Sequence, residues 1–180
     1  EAGEVTTIDI DPETADQART RLAAAGYTDV GVIAGDGGAG EPAHAPYDRI
    51  IATTGAWEVP PAWIDQLTAG GRIVVPLRWR GLTRSVALDH DGDHLVCRSM
   101  YMCGFIPMRG THRGGERTLD LDGHVTLHYD DDQPIDPDAL RGVLDQPASE
   151  TWSGVTIGPN KPFDGVWVRM TLAEPGTCRM

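Results

Sequence analysis

The stretch VIAGDGGAGEPAHAPYDRII, residues 32–51, decides how the chain is read. Gly35, Gly37 and Gly40 fit the pattern G-x-G-x-x-G. In a dinucleotide site that pattern joins a strand directly to a helix, whose first N–H groups meet the phosphate. Here the glycines run into EPAHAPYD, which carries two prolines and no helical apolar period. The acid that such a site places about 20 residues further on, at a strand end, is not there; Glu58 falls in a loop. A nicotinamide oxidoreductase is therefore set aside.

Working outward, VTTIDI (5–10), VGVI (30–33), YDRIIATTG (47–55) and RIVVPL (72–77) read as strands, being β-branched and apolar between turn residues. DPETADQARTRLAAAG reads as a helix with Asp11 as cap, Pro12 at the first position and Gly26 as stop. PPAWIDQLTAGG reads as a second, short helix ending at Gly70-Gly71. Alternation of strand and helix predicts an α/β fold with a parallel sheet. RSVALDHDGDHLVCRSMYM then folds back about DHDGDH as an antiparallel hairpin.

Ligands of open α/β sheets lie outside the carboxyl ends of the strands. Asp9 stands near one such end and Asp36 just past the next. A carboxylate at the first can accept two ribose hydroxyls. One at the second can accept the amine of adenine, with the Gly37 N–H offered to a ring nitrogen. The same two acids also suit a plain strand end and a plain turn.

The net charge is −12 and the pI about 4.7, which excludes a nucleic-acid partner of the usual basic kind. Arginine is concentrated in residues 72–117, eight against four acids. That excess could dock a carboxylate or could be arginines on a solvated strand surface, the simpler reading. Cys97, Cys103 and Cys178 show no C-x-x-C spacing, so neither a disulfide scaffold nor a zinc site is expected, and a cytoplasmic location fits. His124 and His128 would share one strand face, but no third ligand is evident and no metal is expected. No apolar run reaches a membrane span.

From Thr111 the texture turns polar. DPDALRGVLDQ (136–146) reads as a small helix, and WSGVTIG (152–158) and FDGVWVRMTL (163–172) as strands. Two parts are expected: 1–110, and an α+β appendage over 111–180 that offers peptide-recognition surface.

Four pieces of residues 5–110 together resemble the protein-L-isoaspartate O-methyltransferase family: IDID, GDG, APYDRIIATTGA and QLTAGGRIVVPL. CGFIPMRG looks like that family's closing FVPL element. The resemblance implies a class I, Rossmann-like methyltransferase using S-adenosylmethionine, with a peptide carboxylate as methyl acceptor. It assigns Asp9, Ile10, Asp36 and Gly37 to the cofactor, Thr53 to the transfer point, and Thr54, Trp57, Phe105 and Pro107 to the substrate.

Three departures stand out. The family's first strand, with its glycine-rich loop, would lie upstream of Glu1, so the chain reads as N-terminally incomplete. The strands of Asp9 and Thr53 would then share no neighbour. Trp57 replaces a proline that the family often has, and the 70 residues of 111–180 follow the closing element. That tail resembles the appendage of FxLD lanthipeptide-tailoring methyltransferases, which esterify an ordinary aspartate on the way to aspartimide. General isoaspartate repair, and a noncatalytic peptide-binding module, are the alternatives.

Overall fold

The computed structural model describes residues 3–150, 152 and 154–180. They form two compact units, one within residues 3–78 and 83–113 and the other of the described residues of 79–82 and 114–180.

In the first unit, β1 (Val5–Asp9), α1 (Pro12–Ala24) and β2 (Val30–Ala34) come first. Asp11 caps α1 by accepting the Glu13 N–H at 3.0 Å. Tyr27 N–H to Leu22 O and Gly26 N–H to Ala23 O close its C-terminus as a Schellman motif. β3 (Tyr47–Ile51), α2 (Pro61–Asp65), β4 (Leu67–Trp79), β5 (Leu82–Asp91) and β6 (His94–Cys103) follow. The expected second helix is thus one turn long, and Gly70-Gly71 lie inside β4 rather than at a helix end.

Among the described residues β1 pairs only with β2, in parallel, from Val5–Val30 to Asp9–Ala34. β3–β4–β5–β6 form a separate four-stranded sheet, with β3 parallel to β4 and β5 antiparallel to β6. Among the described strands none joins β1 to β3. The core sits on the larger sheet: Ala56, Trp63, Leu67, Ile73, Val75 and Met108 are buried together.

The second unit is built on a two-residue turn. Arg80 (φ 49°) and Gly81 (φ 79°) both lie in the left-handed region, as a type I′ turn requires. The Arg80 N–H donates to Asp130 Oδ2 at 2.9 Å, and its guanidinium bonds Asp130 and Asp132. Asp130 closes β8 (Thr126–Asp130), which pairs antiparallel with β7 (Glu116–Asp120). His124 lies in the turn between them, so it does not share a strand face with His128.

The expected strand at 163–172 is instead α3 (Asp164–Ala173). The less exposed positions include Asp164, Trp167, Val168 and Thr171, a helical stripe. Trp167 Nε1 donates to Arg80 O at 2.9 Å, and Trp79 Nε1 to Thr171 Oγ1 at 3.0 Å. The expected helix at 136–146 is reduced to a 3-10 turn at Val143–Asp145. Gly154–Gly158 carry no strand, and Ser153 of that expected strand lies outside the described residues. No helix among the described residues is long and apolar enough to cross a membrane.

Candidate functional site

A cleft of about 510 Å³ opens between β1 and β3, within the first unit. Thr6 to Ile10 line one wall, and Tyr47 and Arg49 to Thr54 the other. Gly37, Gly40 and Glu41 line it from the loop after β2, and Ile106 to Arg109 from the segment after β6. The volume is in the range of small-molecule sites. The lip at Asp9 and Thr53 is formed by strand carboxyl ends, where an open α/β sheet binds its ligand.

Each part has a local cause. Asp9 ends β1, and its Oδ1 accepts the Asp11 N–H at 2.9 Å, which ties the carboxylate to the start of α1. The loop after β2 is held from α2: Trp63 Nε1 donates to Gly37 O at 2.8 Å. The Gln66 side chain accepts from Glu41 N–H and donates to Ala39 O, both at 2.9 Å. Thr53 and Thr54 follow β3. The next residue, Gly55, donates to Ile106 O at 2.7 Å and accepts from Met108 N–H at 2.8 Å. The closing segment is thereby bound beside the threonines. Tyr47 Oη donates to Glu41 O at 2.8 Å, and desolvation holds its phenol above the usual value.

Of the residues expected in the site, Asp9, Ile10, Gly37, Thr53, Thr54 and Pro107 line the cleft. Asp36, Trp57 and Phe105 are not among its lining residues. Trp57 instead lies under the Arg78 guanidinium, 5.5 Å from its ring centroid. Asp36 caps the 3-10 turn Gly37–Ala39 through Gly38 N–H at 2.9 Å, while its other oxygen accepts Thr111 N–H at 2.7 Å. The Thr111 N–H, foremost, lowers the Asp36 pKa below the usual carboxylate value.

Reading the sequence missed Thr6, Thr7, Glu41, Gln66 and Arg109 as lining residues. It also missed the partner of Asp36, which lies 75 residues away with no local signal. Several of the clustered arginines are neutralised locally. Arg72 and Arg98 share Asp89, and Arg117 bonds Asp131. This favours the simpler reading of that segment.

A family model described as protein-L-isoaspartate(D-aspartate) O-methyltransferase matches residues 1–113. The protein-L-isoaspartate O-methyltransferase of Hyperthermus butylicus is 43% identical over 121 residues, 66% of this chain and 50% of that protein. The one of Ignicoccus hospitalis is 51% identical over 107 residues, 59% and 51% of the two chains. The chain thus spans about half the length of the relatives it matches. A solved protein-L-isoaspartate O-methyltransferase superposes with a TM-score of 0.59 at 29% identity, over 63% of this chain and 36% of that one. A putative one from Plasmodium falciparum, solved with S-adenosyl-L-homocysteine, superposes with a TM-score of 0.50 at 10% identity. It covers 58% of this chain and 52% of that one, and carries the fold alone.

Proposed function

The chain belongs to the protein-L-isoaspartate O-methyltransferase family, and from that premise we propose that its cleft binds S-adenosylmethionine and serves methyl transfer to a peptide carboxylate. The observation that supports this is the cleft at the carboxyl ends of β1 and β3, which unites Asp9, Gly37, Thr53 and Thr54 inside the matched residues. The donors present fit a nucleoside: an anchored carboxylate at Asp9 and loop backbone at Gly37.

When bound, the cofactor supplies an electrophilic methyl on a sulfonium. Asp9 accepts the ribose hydroxyls and Gly37 meets the base. Thr53 and Thr54, fixed through Gly55 to the 106–108 segment, border the acceptor. The acceptor carboxylate is ionised at neutral pH, so no general base is needed. The chain contributes alignment and exclusion of water, which is catalysis by orientation.

The test is transfer of tritium from methyl-labelled S-adenosylmethionine to two hexapeptides, identical except for one isoaspartyl or aspartyl residue. Base-labile label on the isoaspartyl peptide is the expected result. Label on neither peptide, nor on an FxLD-type precursor, sinks the reading.

A second reading narrows the acceptor. Residues 114–180 lie beyond the family match and, with residues 79–82, make up the second compact unit. Trp152 in it is 82% exposed, the kind of side chain that anchors a partner. This favours an enzyme, cytoplasmic and acting in peptide tailoring, that selects one aspartate in a modified precursor such as a lanthipeptide. General repair needs recognition of only one damaged residue, whereas such selection needs additional surface. Turnover of an FxLD-type precursor in preference to the isoaspartyl hexapeptide distinguishes it.

A further inference from the structure

Four successive N–H groups of the loop after β2 are used inside the first unit. Gly38 donates to Asp36 Oδ1 at 2.9 Å, Ala39 to Asp36 O at 3.0 Å, Gly40 to Gly37 O at 3.1 Å and Glu41 to Gln66 Oε1 at 2.9 Å. The N–H of Gly37, which lines the cleft, has no acceptor among the described residues. Asp36, at the head of the same turn, accepts one N–H on each oxygen, from Gly38 and Thr111. Each oxygen keeps a lone pair for a ligand amine. Residues 35, 37, 38 and 40 are all glycine, and glycine loses the most freedom on ordering. Such a loop meets a ligand in one shape only if something outside it holds that shape.

Two buried side chains do so. Trp63, 5% exposed, donates Nε1 to Gly37 O at 2.8 Å, beside the Gly40 N–H. Gln66, 9% exposed, takes Glu41 N–H on Oε1 and donates Nε2 to Ala39 O at 2.9 Å. Gly40, at φ 65°, lies so close to that amide that no Cβ would fit between them. Trp63 is packed in the core with Leu67 and Ile73, so the order of the core is passed to the loop. We infer that Trp63 and Gln66 are positioning residues for base recognition, which hold the 37–41 loop so that the Gly37 N–H and the Asp36 carboxylate meet an adenine edge already arranged. The inference rests on the nucleoside reading of the cleft. An arranged loop lowers the ordering cost of binding. It also discriminates. Adenine offers an amine beside a ring acceptor, which suits a carboxylate beside an N–H. Hypoxanthine offers an oxygen beside a ring N–H, so acceptor faces acceptor and donor faces donor, and a fixed site rejects it. A loosened loop turns away from that mismatch.

The test is calorimetric titration of S-adenosylhomocysteine and S-inosylhomocysteine into the wild-type chain and three variants. Trp63→Phe keeps a ring in the core and removes the donor. Gln66→Met keeps the length and removes both bonds. Leu67→Val trims the same buried cluster and leaves both anchors in place. Trp63→Phe and Gln66→Met are expected to bind S-adenosylhomocysteine roughly three- to tenfold more weakly, the size of one lost hydrogen bond. Their preference for it over S-inosylhomocysteine falls by a similar factor. Leu67→Val melts at a lower temperature yet keeps the wild-type preference. An unchanged preference in Trp63→Phe, whatever its melting temperature, overturns the inference. So does an equal loss of preference in Leu67→Val, which would make the effect one of general stability. If Gln66→Met does not fold, Trp63→Phe decides the question alone. A wild-type chain that binds both ligands equally removes the base assignment of Asp36 and Gly37, and the positioning role with it. A wild-type chain that binds neither removes the nucleoside reading itself.

Discussion

The two walls of the cleft are held by unequal means. The β3 wall belongs to a four-stranded sheet backed by Ile73 and Val75, both fully buried, and by Trp63 and Leu67. The β1 wall is a two-stranded pair with one helix, in which Ala15 is the only fully buried apolar side chain among the described residues. Val5 and Ile10 remain more than a third exposed. A two-stranded parallel pair is a weak unit by itself. Yet this wall carries Asp9, the acid expected to read the ribose. On the proposed reading, folding stability and ribose recognition fall on opposite sides of one cleft, and substitutions can separate them.

The largest effect expected is on the stable wall. Ile73→Ala removes a side chain with no solvent exposure and costs about 2–5 kcal/mol of unfolding free energy. Ile8→Ala, on half-buried β1, costs less than half as much. Denaturant titration of both variants checks the contrast; equal losses would break it.

Hydrogen exchange sharpens the same point without mutation. Local opening is easiest where apolar contacts are few. Amides of Thr6–Ile8 exchange at least about a hundredfold faster than those of Ile73–Val75, a gap of roughly 2.7 kcal/mol. Similar protection in β1 and β4 would show that the β1 wall is braced as firmly as the sheet.

The third effect concerns recognition. Asp9→Ala weakens S-adenosylhomocysteine binding by about 1–3 kcal/mol, because two ribose hydroxyls lose their acceptor. It leaves thermal unfolding close to wild type. Calorimetry and a melting curve on one preparation decide it; unchanged affinity removes Asp9 from the ribose.

What the sequence disclosed follows the same division. β1, α1, β2 and β3 were legible because each carries a local signal: a β-branched run, the Asp11-Pro12 start, the Gly26 stop. Asp9, Thr53 and Thr54 could be placed at strand ends by counting along those runs. The site's long-range closures were not legible. Asp36 to Thr111, Trp63 to Gly37 and Gly55 to Ile106 span 75, 26 and 51 residues, and no periodicity encodes them. The second unit was least legible, since α3 hides a helical stripe inside a β-branched sequence and β7 and β8 are written largely in polar residues. There tertiary contacts with Trp79 and Arg80 override local propensity.

The smallest effect tests whether charge as well as burial braces the larger sheet. Asp89 on β5 bonds Arg72 of β4 at 2.5 and 3.0 Å and Arg98 of β6 at 2.9 Å, an ion triad across three strands. Hydrogen bonds from Arg72, then Arg98, lower its pKa from 3.8 to about 2. A carboxyl whose folded pKa is depressed stabilises the fold above its unfolded pKa. That contribution is full well above pH 3.8 and is lost as pH falls through about 2. Asp89→Asn cannot ionise, so it lowers the melting temperature slightly at pH 7. Its deficit relative to wild type stays constant down to about pH 5, then narrows as pH approaches 2. Added salt shrinks the deficit at neutral pH, because the triad is partly open to solvent and screened. A deficit of the same size at pH 7 and pH 2 would mean that Asp89 acts through packing alone, leaving the sheet's advantage over the β1 wall entirely to its apolar core.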